Sequence, residues 1–368
     1  MKPVWVIADA IVSPFGDTTE ENFRQVADGI SGLKKLSDQT LSKTEVVAGK
    51  ISSFRNSDIA TRFEYMCLKA INGITVKHNL PKEKTLFILS TTKGNIAQID
   101  QHHPRLSLHA VADFLAKSAG VIHSTVVSNA CISGVMAMTV ASRFLQTGKF
   151  EHALIVGADE LTQFVISGFQ SLQALSDDVC KPFDASRKGI NLGEAAAAIL
   201  LSVNPSAFSV KPQVQILGSG LTNDANHISG PSRTGEELAL AIRRALKESK
   251  VGNQEIDFVS AHGTATLYND EMEAKAFHLA GLGEKPVNSL KPFYGHTLGA
   301  AGVVETIISI HGLKHNTLIP TLGYQTSGVS KSLHVIARKE NKSLSTFLKT
   351  ASGFGGCNAA IVVQKVNG

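Results

Sequence analysis

Four short segments carry side chains capable of covalent chemistry. The first, Val126-Val127-Ser128-Asn129-Ala130-Cys131-Ile132-Ser133-Gly134, runs from an apolar strand into a helix and sets Cys131 at the turn. There the free N–H groups and the positive dipole end of a helix favour a thiolate and can hold an oxyanion. The second, Ser260-Ala261-His262-Gly263-Thr264-Ala265-Thr266-Leu267-Tyr268-Asn269-Asp270, places His262 at a strand end beside two hydroxyls. The third, Asn288-Ser289-Leu290-Lys291-Pro292-Phe293-Tyr294-Gly295-His296-Thr297-Leu298-Gly299-Ala300-Ala301-Gly302, supplies a lysine and a second histidine, with Glu305 a turn further on. The fourth, Ser352-Gly353-Phe354-Gly355-Gly356-Cys357-Asn358, offers mobile backbone and free N–H groups beside a phenyl ring. It is a poor phosphate loop, because no helix start and no Lys-Ser/Thr follows it. Taken singly, each segment has a plainer reading: a buried cysteine is most often inert packing, and a histidine at a strand end most often a satisfied structural group.

Apolar strand-sized runs at 4–8, 85–89, 153–156, 196–203, 214–217, 258–261 and 359–364 alternate with helical patterns at 132–146, 236–247 and 299–313. This alternation predicts an α/β sheet covered by helices. The least committed stretch is 202–212, where Asn204-Pro205-Ser206 and Lys211-Pro212 interrupt two strand patterns, so the chain is divided into units 1–205 and 206–368. A strand, turn and helix with a reactive candidate occurs in each, around Cys131 and around Lys291 to His296, which hints at duplication.

Composition sets the outer bounds. The 368 residues are 43% hydrophobic and 18% charged, with a net charge of +5, which is too small and dispersed for a nucleic-acid groove but compatible with an acidic protein partner. The four cysteines are far apart with no C-x-x-C pair, so neither a disulfide framework nor a zinc ribbon fits, and a reduced, cytoplasmic setting is expected. The run 4–8 is too short for an export signal and reads as a first buried strand. No stretch approaches the roughly 18 apolar residues of a membrane span. His102, His103 and His109 read as a polar loop, and no metal site is expected.

Together the four segments resemble the β-ketoacyl-acyl carrier protein synthases, in the elongating Cys-His-His branch of the thiolase-like superfamily. Its A-C-x-S-G, H-G-T-x-T-x-x-N-D, S-x-K-x-x-x-G-H-x-x-G-A-A-G and G-F-G-G-x-N patterns occur here in order. Further similarity lies in Val12-Ser13-Pro14-Phe15-Gly16, Ile155-Val156-Gly157-Ala158-Asp159-Glu160, and Lys181-Pro182-Phe183-Asp184 with Arg187 and Gly193-Glu194. The resemblance implies a thiolase-like fold of two similar α/β halves in a layered αβαβα arrangement. It also implies a decarboxylative Claisen condensation in fatty acid, polyketide or polyene-type synthesis. Cys131 would be the acyl-bearing nucleophile. His262 and His296 would act as neutral donors to the enolate. Lys291 would order the histidines, with Glu305 as its structural partner rather than a solvated helix carboxylate. The N–H groups of Cys131 and Phe354 would form the oxyanion hole, and Thr264 and Thr266 would contact the phosphopantetheine arm. No cofactor is implied, since phosphopantetheine arrives on the acyl carrier protein. A homodimer is implied, paired across the apolar edge at 121–127, or else a heterodimer with a related subunit.

Several positions depart from the family pattern. Where members read N-S-F-G-F-G-G, this chain reads Thr350-Ala351-Ser352-Gly353-Phe354-Gly355-Gly356. A gating phenyl is thereby replaced by Ser352, leaving any gate to Phe354 and Gly355, and stiff, unsaturated or aryl-capped acyl chains are expected to enter more readily. Lys188 stands where Asp is frequent, and the chain is shorter than typical members between Lys50 and Val126. The alternative function, a non-catalytic chain-length partner subunit, usually lacks the nucleophile that Cys131 supplies here. A degradative thiolase is disfavoured because Cys357-Asn358-Ala359 does not match its second C-x-G cysteine. An initiating synthase is disfavoured because His296 is not Asn.

Overall fold

The computed structural model describes residues 2–52, 60–224 and 228–366. Its centre is an eleven-stranded sheet, built from β1 (Val4–Val12), β2 (Thr85–Ser90), β3 (His123–Val127), β4 (His152–Asp159), β5 (Ala195–Ser202), β6 (Val214–Asn223), β7 (Phe258–Ser260), β8 (Pro286–Asn288), β9 (His334–Val335), β10 (Thr346–Gly353) and β11 (Cys357–Lys365). The spatial order is β9-β8-β7-β10-β11-β6-β1-β5-β4-β2-β3. Within it the same arrangement occurs twice. In β1 to β5 the third strand pairs in parallel with the second and the second with the fourth, while the fifth runs antiparallel between the fourth and the first. The strands β6, β7, β8, β10 and β11 repeat those pairings, and β9 is added at their outer edge. The two sets join where β1 and β6 pair antiparallel through Val4↔Ile216, Trp5↔Gln215 and Val6↔Val214.

Helices occupy three layers around these strands. Phe63, Met66 and Ile71 of α1 (Arg62–Thr75) and Leu115 of α2 (Leu108–Ser118) pack with Phe87, Leu89 and Val156 on the outer face of the first set. Between the two sets lie α3 (Ser133–Gln146) and, further along, α6 (Ala301–Lys314); Met138, Leu145, Val303 and Ile307 share a core with strand residues of both sets, Ile155 and Ile361 among them. On the far face, Leu238 and Ile242 of α4 (Glu236–Ser249) and Phe277 of α5 (Leu267–Leu279) cover Val259, Val287 and Val362. The composition of each helix follows from its layer. A covering helix needs one apolar stripe, whereas one enclosed on all sides must be apolar throughout; every residue of α6 except Lys314 is buried.

The two central helices touch at their starts. An added Cβ on Gly134 would sit 2.7 Å from the Val303 amide nitrogen, and one on Gly302 2.5 Å from that of Val135, so neither position tolerates a side chain without backbone movement. This contact brings the turn before α3 against the turn before α6. The layered α/β arrangement expected from the sequence is the one observed.

Candidate active site

Cys131 sits in the turn between β3 and α3, with 8% of its surface exposed. The preceding residue, Ala130, has φ of 44°, a left-handed conformation that non-glycine residues adopt at a cost. Ser133 holds that turn: its hydroxyl donates to the Ala130 carbonyl at 2.7 Å and accepts from the Asn129 N–H at 2.8 Å. The serine of the A-C-x-S-G pattern thus shapes the bend that presents the thiol. An added Cβ on Gly353 would lie 3.0 Å from the Cys131 nitrogen, so the end of β10 passes close to Cys131 only because it carries no side chain there.

Both histidines converge on this thiol. One ligating atom each of Cys131, His262 and His296 lies within 4.8 Å of the others, and the two rings meet edge to face with centroids 5.2 Å apart. His262 follows β7. Its backbone N–H donates to Glu273 Oε1 at 2.8 Å and its carbonyl accepts from Lys291 Nζ at 3.1 Å. His296 is seated by its N–H, which donates to the Asn191 carbonyl at 2.7 Å. His262 Nδ1 and both ring nitrogens of His296 are buried and make no hydrogen bond within the protein. Buried polar atoms are normally satisfied, so unbonded nitrogens on two rings beside one thiol leave hydrogen-bonding capacity for an incoming oxygen.

Behind the rings, Lys291 Nζ pairs with Glu305 Oε1, and Glu305 is 3% exposed rather than solvated. Its other oxygen pairs with Lys349 Nζ at 2.5 Å. Lys349 was not expected from the sequence, and neither was Glu273, which accepts the amides of His262 and Gly263. A lysine inside the strand pattern Thr346-Phe347-Leu348-Lys349-Thr350 was the available signal for the first, since a charge there must be either solvated or paired.

Electrostatics at the site differ from the sequence expectation in one respect. The helix start favours a thiolate, yet burial pushes the Cys131 thiol up to about 12, with the neighbouring Cys357 thiol adding to the rise. Lys291, the Phe354 N–H bonded to the sulfur, and Lys93 pull the other way without overcoming it. The Cys131 sulfur therefore rests as a thiol, because loss of hydration outweighs the nearby positive groups. Burial, then Lys291, hold both imidazoles well below the ordinary histidine value, so each is neutral and has one N–H to give and one nitrogen to accept. A thiol and two imidazoles are also a donor set for a soft cation. Among the described residues no other group of three ligating side chains is so close.

A cavity of about 530 Å³ opens over the thiol, lined by Cys131, both histidines, Thr264, Thr266, Ser352, Gly353 and Phe354 among others. The Thr264 and Thr266 hydroxyls are 2.8 Å apart along one wall. The fourth segment is a hairpin whose turn contains Gly355 and Gly356, at φ of 84° and 75°. At that turn Phe354 is 40% exposed and stacks on Phe169 at 5.9 Å. Ser352 lies before the turn, inside β10, 5% exposed, with its hydroxyl donating to Asn358 Oδ1 at 2.7 Å. The aromatic ring at the turn of this wall is thus Phe354, and Ser352 lines the cavity from the strand before it.

Residues 121–207 match the β-ketoacyl synthase N-terminal domain and residues 214–325 the β-ketoacyl synthase C-terminal domain. A 3-oxoacyl-[acyl-carrier-protein] synthase 2 of Rhizobium meliloti is 31% identical over 68% of this chain and 62% of its own length, so the match spans less than two thirds of that protein. A polyketide β-ketoacyl synthase of Streptomyces halstedii is 30% identical over 75% of this chain and 70% of its own. Among solved structures, a ketosynthase in complex with its chain length factor from Xenorhabdus doucetiae has a TM-score of 0.87 at 24% identity, covering 99% of this chain and 98% of that one. The chain belongs to the β-ketoacyl synthase family, and its fold is the thiolase-like fold of the ketosynthases.

Proposed function

We propose that this member of the β-ketoacyl synthase family is a 3-oxoacyl-acyl carrier protein synthase, an acyltransferase that condenses an acyl thioester with a malonyl thioester. The observation that carries the reading is the convergence of Cys131 with two neutral histidines whose buried nitrogens are left unbonded by the protein. Cys131 Sγ attacks the acyl thioester carbonyl as its proton passes to a neighbouring imidazole. A carbon–sulfur bond forms, the oxyanion is held by the N–H groups of Cys131 and Phe354, and the carrier thiol leaves with a proton. Malonyl thioester then enters along Thr264 and Thr266. Its carbon–carboxylate bond breaks to release carbon dioxide, and the electron pair is held as an enolate whose oxygen accepts from His262 and His296. The enolate carbon attacks the acyl carbonyl to form a carbon–carbon bond, the carbon–sulfur bond to Cys131 breaks, and the departing sulfur takes a proton from solvent to regain its resting thiol. Lys291 and Glu305 hold the histidines, and the route calls for no metal or resident cofactor.

The partner that delivers both substrates is an acyl carrier protein, in keeping with the name of the Rhizobium relative. A second copy or a related subunit pairs at β3, the sheet edge, where Ile122 just before it is 50% exposed and the open backbone invites pairing. The ketosynthase and chain length factor complex is consistent with this. Light scattering that finds a monomer in the presence of every related subunit would remove the pairing. Four free, buried cysteines fit a reducing cytoplasm, and no helix among the described residues is long and apolar enough to cross a membrane. The function is tested by incubating the protein with acyl carrier protein bearing octanoyl and malonyl groups. The expected result is an octanoyl mass increase on the peptide containing Cys131, followed by carbon dioxide and a 3-oxoacyl product. Acylation of no residue and release of no carbon dioxide would refute it.

A further inference from the structure

The strand end that carries His262 is gripped from two sides. Its three consecutive carbonyls accept from two lysines: those of Ser260 and Ala261 from Lys349 Nζ, at 3.2 and 3.0 Å, and that of His262 from Lys291 Nζ at 3.1 Å. Both lysines are fully buried, and they take one oxygen each of the Glu305 carboxylate. The amides are held in turn by Glu273, which accepts from His262 at 2.8 Å and Gly263 at 2.6 Å and is itself held by Asn269 at 2.9 Å and Thr350 at 3.2 Å. Lys349 reaches this place because β10 pairs with β7 in the register Ser260↔Lys349.

Burying an ammonium group is costly unless it is paired. Burial lowers the Lys349 ammonium, while Glu305 and Glu273 act to keep it charged. One carboxylate, Glu305, is shared by two lysines and cannot cancel both charges, so positive charge is placed near the two imidazoles proposed to meet an enolate. We propose that Lys349 is a positioning residue of the condensation, fixing the backbone of His262 and lending a positive field to the enolate site, so that decarboxylation depends on it more than acyl transfer does. This rests on the condensing function proposed above.

The titration of the rings agrees in direction. Behind burial and Lys291, the Lys349 charge contributes to holding both His262 and His296 neutral. Cys131 from the α3 turn lies beside the rings and Lys93, beyond β2, acts on His296; Glu273 and Asp270 from α5 bind the backbone around His262, and Glu305 from α6 lies behind with the two lysines. Of these, Lys93 also lowers His296, and burial pushes the Glu273 and Asp270 carboxyls up toward their uncharged forms.

The test uses the full chain with malonyl-pantetheine and octanoyl-pantetheine, and compares Lys349→Met, Lys349→Gln and Lys349→Arg. In Lys349→Met, carbon dioxide release should fall by up to about 100-fold, the scale of misplacing a reacting group by roughly 1 Å, while octanoylation of Cys131 changes far less. Its acid limb should move to higher pH, because histidines that have lost a nearby positive charge protonate more readily. Lys349→Arg should restore the limb. Lys349→Gln keeps a donor for the carbonyls and should show the same pH shift if the Met variant does not fold. Unchanged carbon dioxide release with an unmoved acid limb in a folded variant would overturn the proposal, as would collapse of both neutral variants, which would leave Lys349 a packing role only. A wild-type chain that neither takes octanoyl nor releases carbon dioxide would instead remove the condensing function itself.

Discussion

The two strand sets repeat one topology but spend their strand ends differently. In the first, the third strand, β3, ends in the bend that presents Cys131, and the second strand, β2, ends in Thr91 and Thr92. Those threonines bind the Asp159 carboxylate, which in turn accepts from the Gly299 N–H at 2.7 Å just before α6. In the second set the ends of both equivalent strands carry candidate site residues: β7 leads into His262, and β8 into Lys291 and His296. On the proposed function, one half supplies the nucleophile and a brace for its partner, and the other supplies the oxygen-binding groups. The cavity is lined from both, by Cys131 of the first and by His262 and His296 of the second. The division predicts that acyl transfer and decarboxylation can be lost separately.

The largest separation should come from Cys131→Ala. Removing the thiol that the first half brings to the cavity should abolish octanoylation and condensation, while carbon dioxide release from malonyl-pantetheine persists on the intact second half. Condensation that continues undiminished would show that the halves are not divided in this way. The reciprocal experiment is His262→Ala or His296→Ala, for which carbon dioxide release should fall by about 10² to 10³, the usual loss for one oxyanion donor. Octanoylation should survive in part. Melting curves accompany both, since a collapsed transition with no folded protein would assign the histidines to the core instead.

The pH dependence sharpens the same contrast. The thiol lies at about 12 because of burial, so thiolate increases with pH throughout the neutral range, and alkylation of Cys131 by iodoacetamide should rise about tenfold per pH unit from 6 to 9 without levelling. The imidazoles run the opposite way. Their protonation is pushed below the ordinary value of 6.5, so carbon dioxide release should stay constant down through that pH and decline only in more acid solution. An alkylation plateau near neutrality would mean that a thiolate–imidazolium pair exists at rest, contrary to the division drawn here.

How much of this could be read from the chain differs between the halves for physical reasons. The turn at Cys131, the histidines and Lys291 lie in compact local patterns, each a strand end followed by small residues, and local patterns are legible. Glu305 could be placed only through resemblance, and for Lys349 the one signal is a lysine among strand-forming residues, since its burial depends on strand pairing with Ser260 and on a carboxylate from another helix. The strand β10 itself was missed for the same reason: Lys349, Thr350 and Ser352 break its apolar pattern, yet all three are buried on partners elsewhere in the sequence. Helix α1 was missed despite a readable start, the capping box formed by Thr61 and Glu64.

The smallest expected effect concerns the wall that belongs to neither division of chemistry, the glycine-rich hairpin. Its Phe354 backbone is committed to the Cys131 sulfur, but its ring is held by the Phe169 stack alone among described aromatic contacts and sits on two left-handed glycines. Phe354→Ala retains the N–H and removes the ring, so it should cost about 0.5 to 1.5 kcal/mol of stability, the worth of one aromatic pair. Both half-reactions should continue. What should change is the choice among octanoyl and conjugated carriers of matched length, by less than the roughly 10-fold that one methylene of pocket contact can command. Ser352→Phe tests the other position: a phenyl forced into a site that is 5% exposed should destabilise the fold by about 1 to 3 kcal/mol through overpacking. If Ser352→Phe is instead as stable as wild type and reverses the acyl preference while Phe354→Ala leaves it unmoved, the gate lies in the strand and not at the turn.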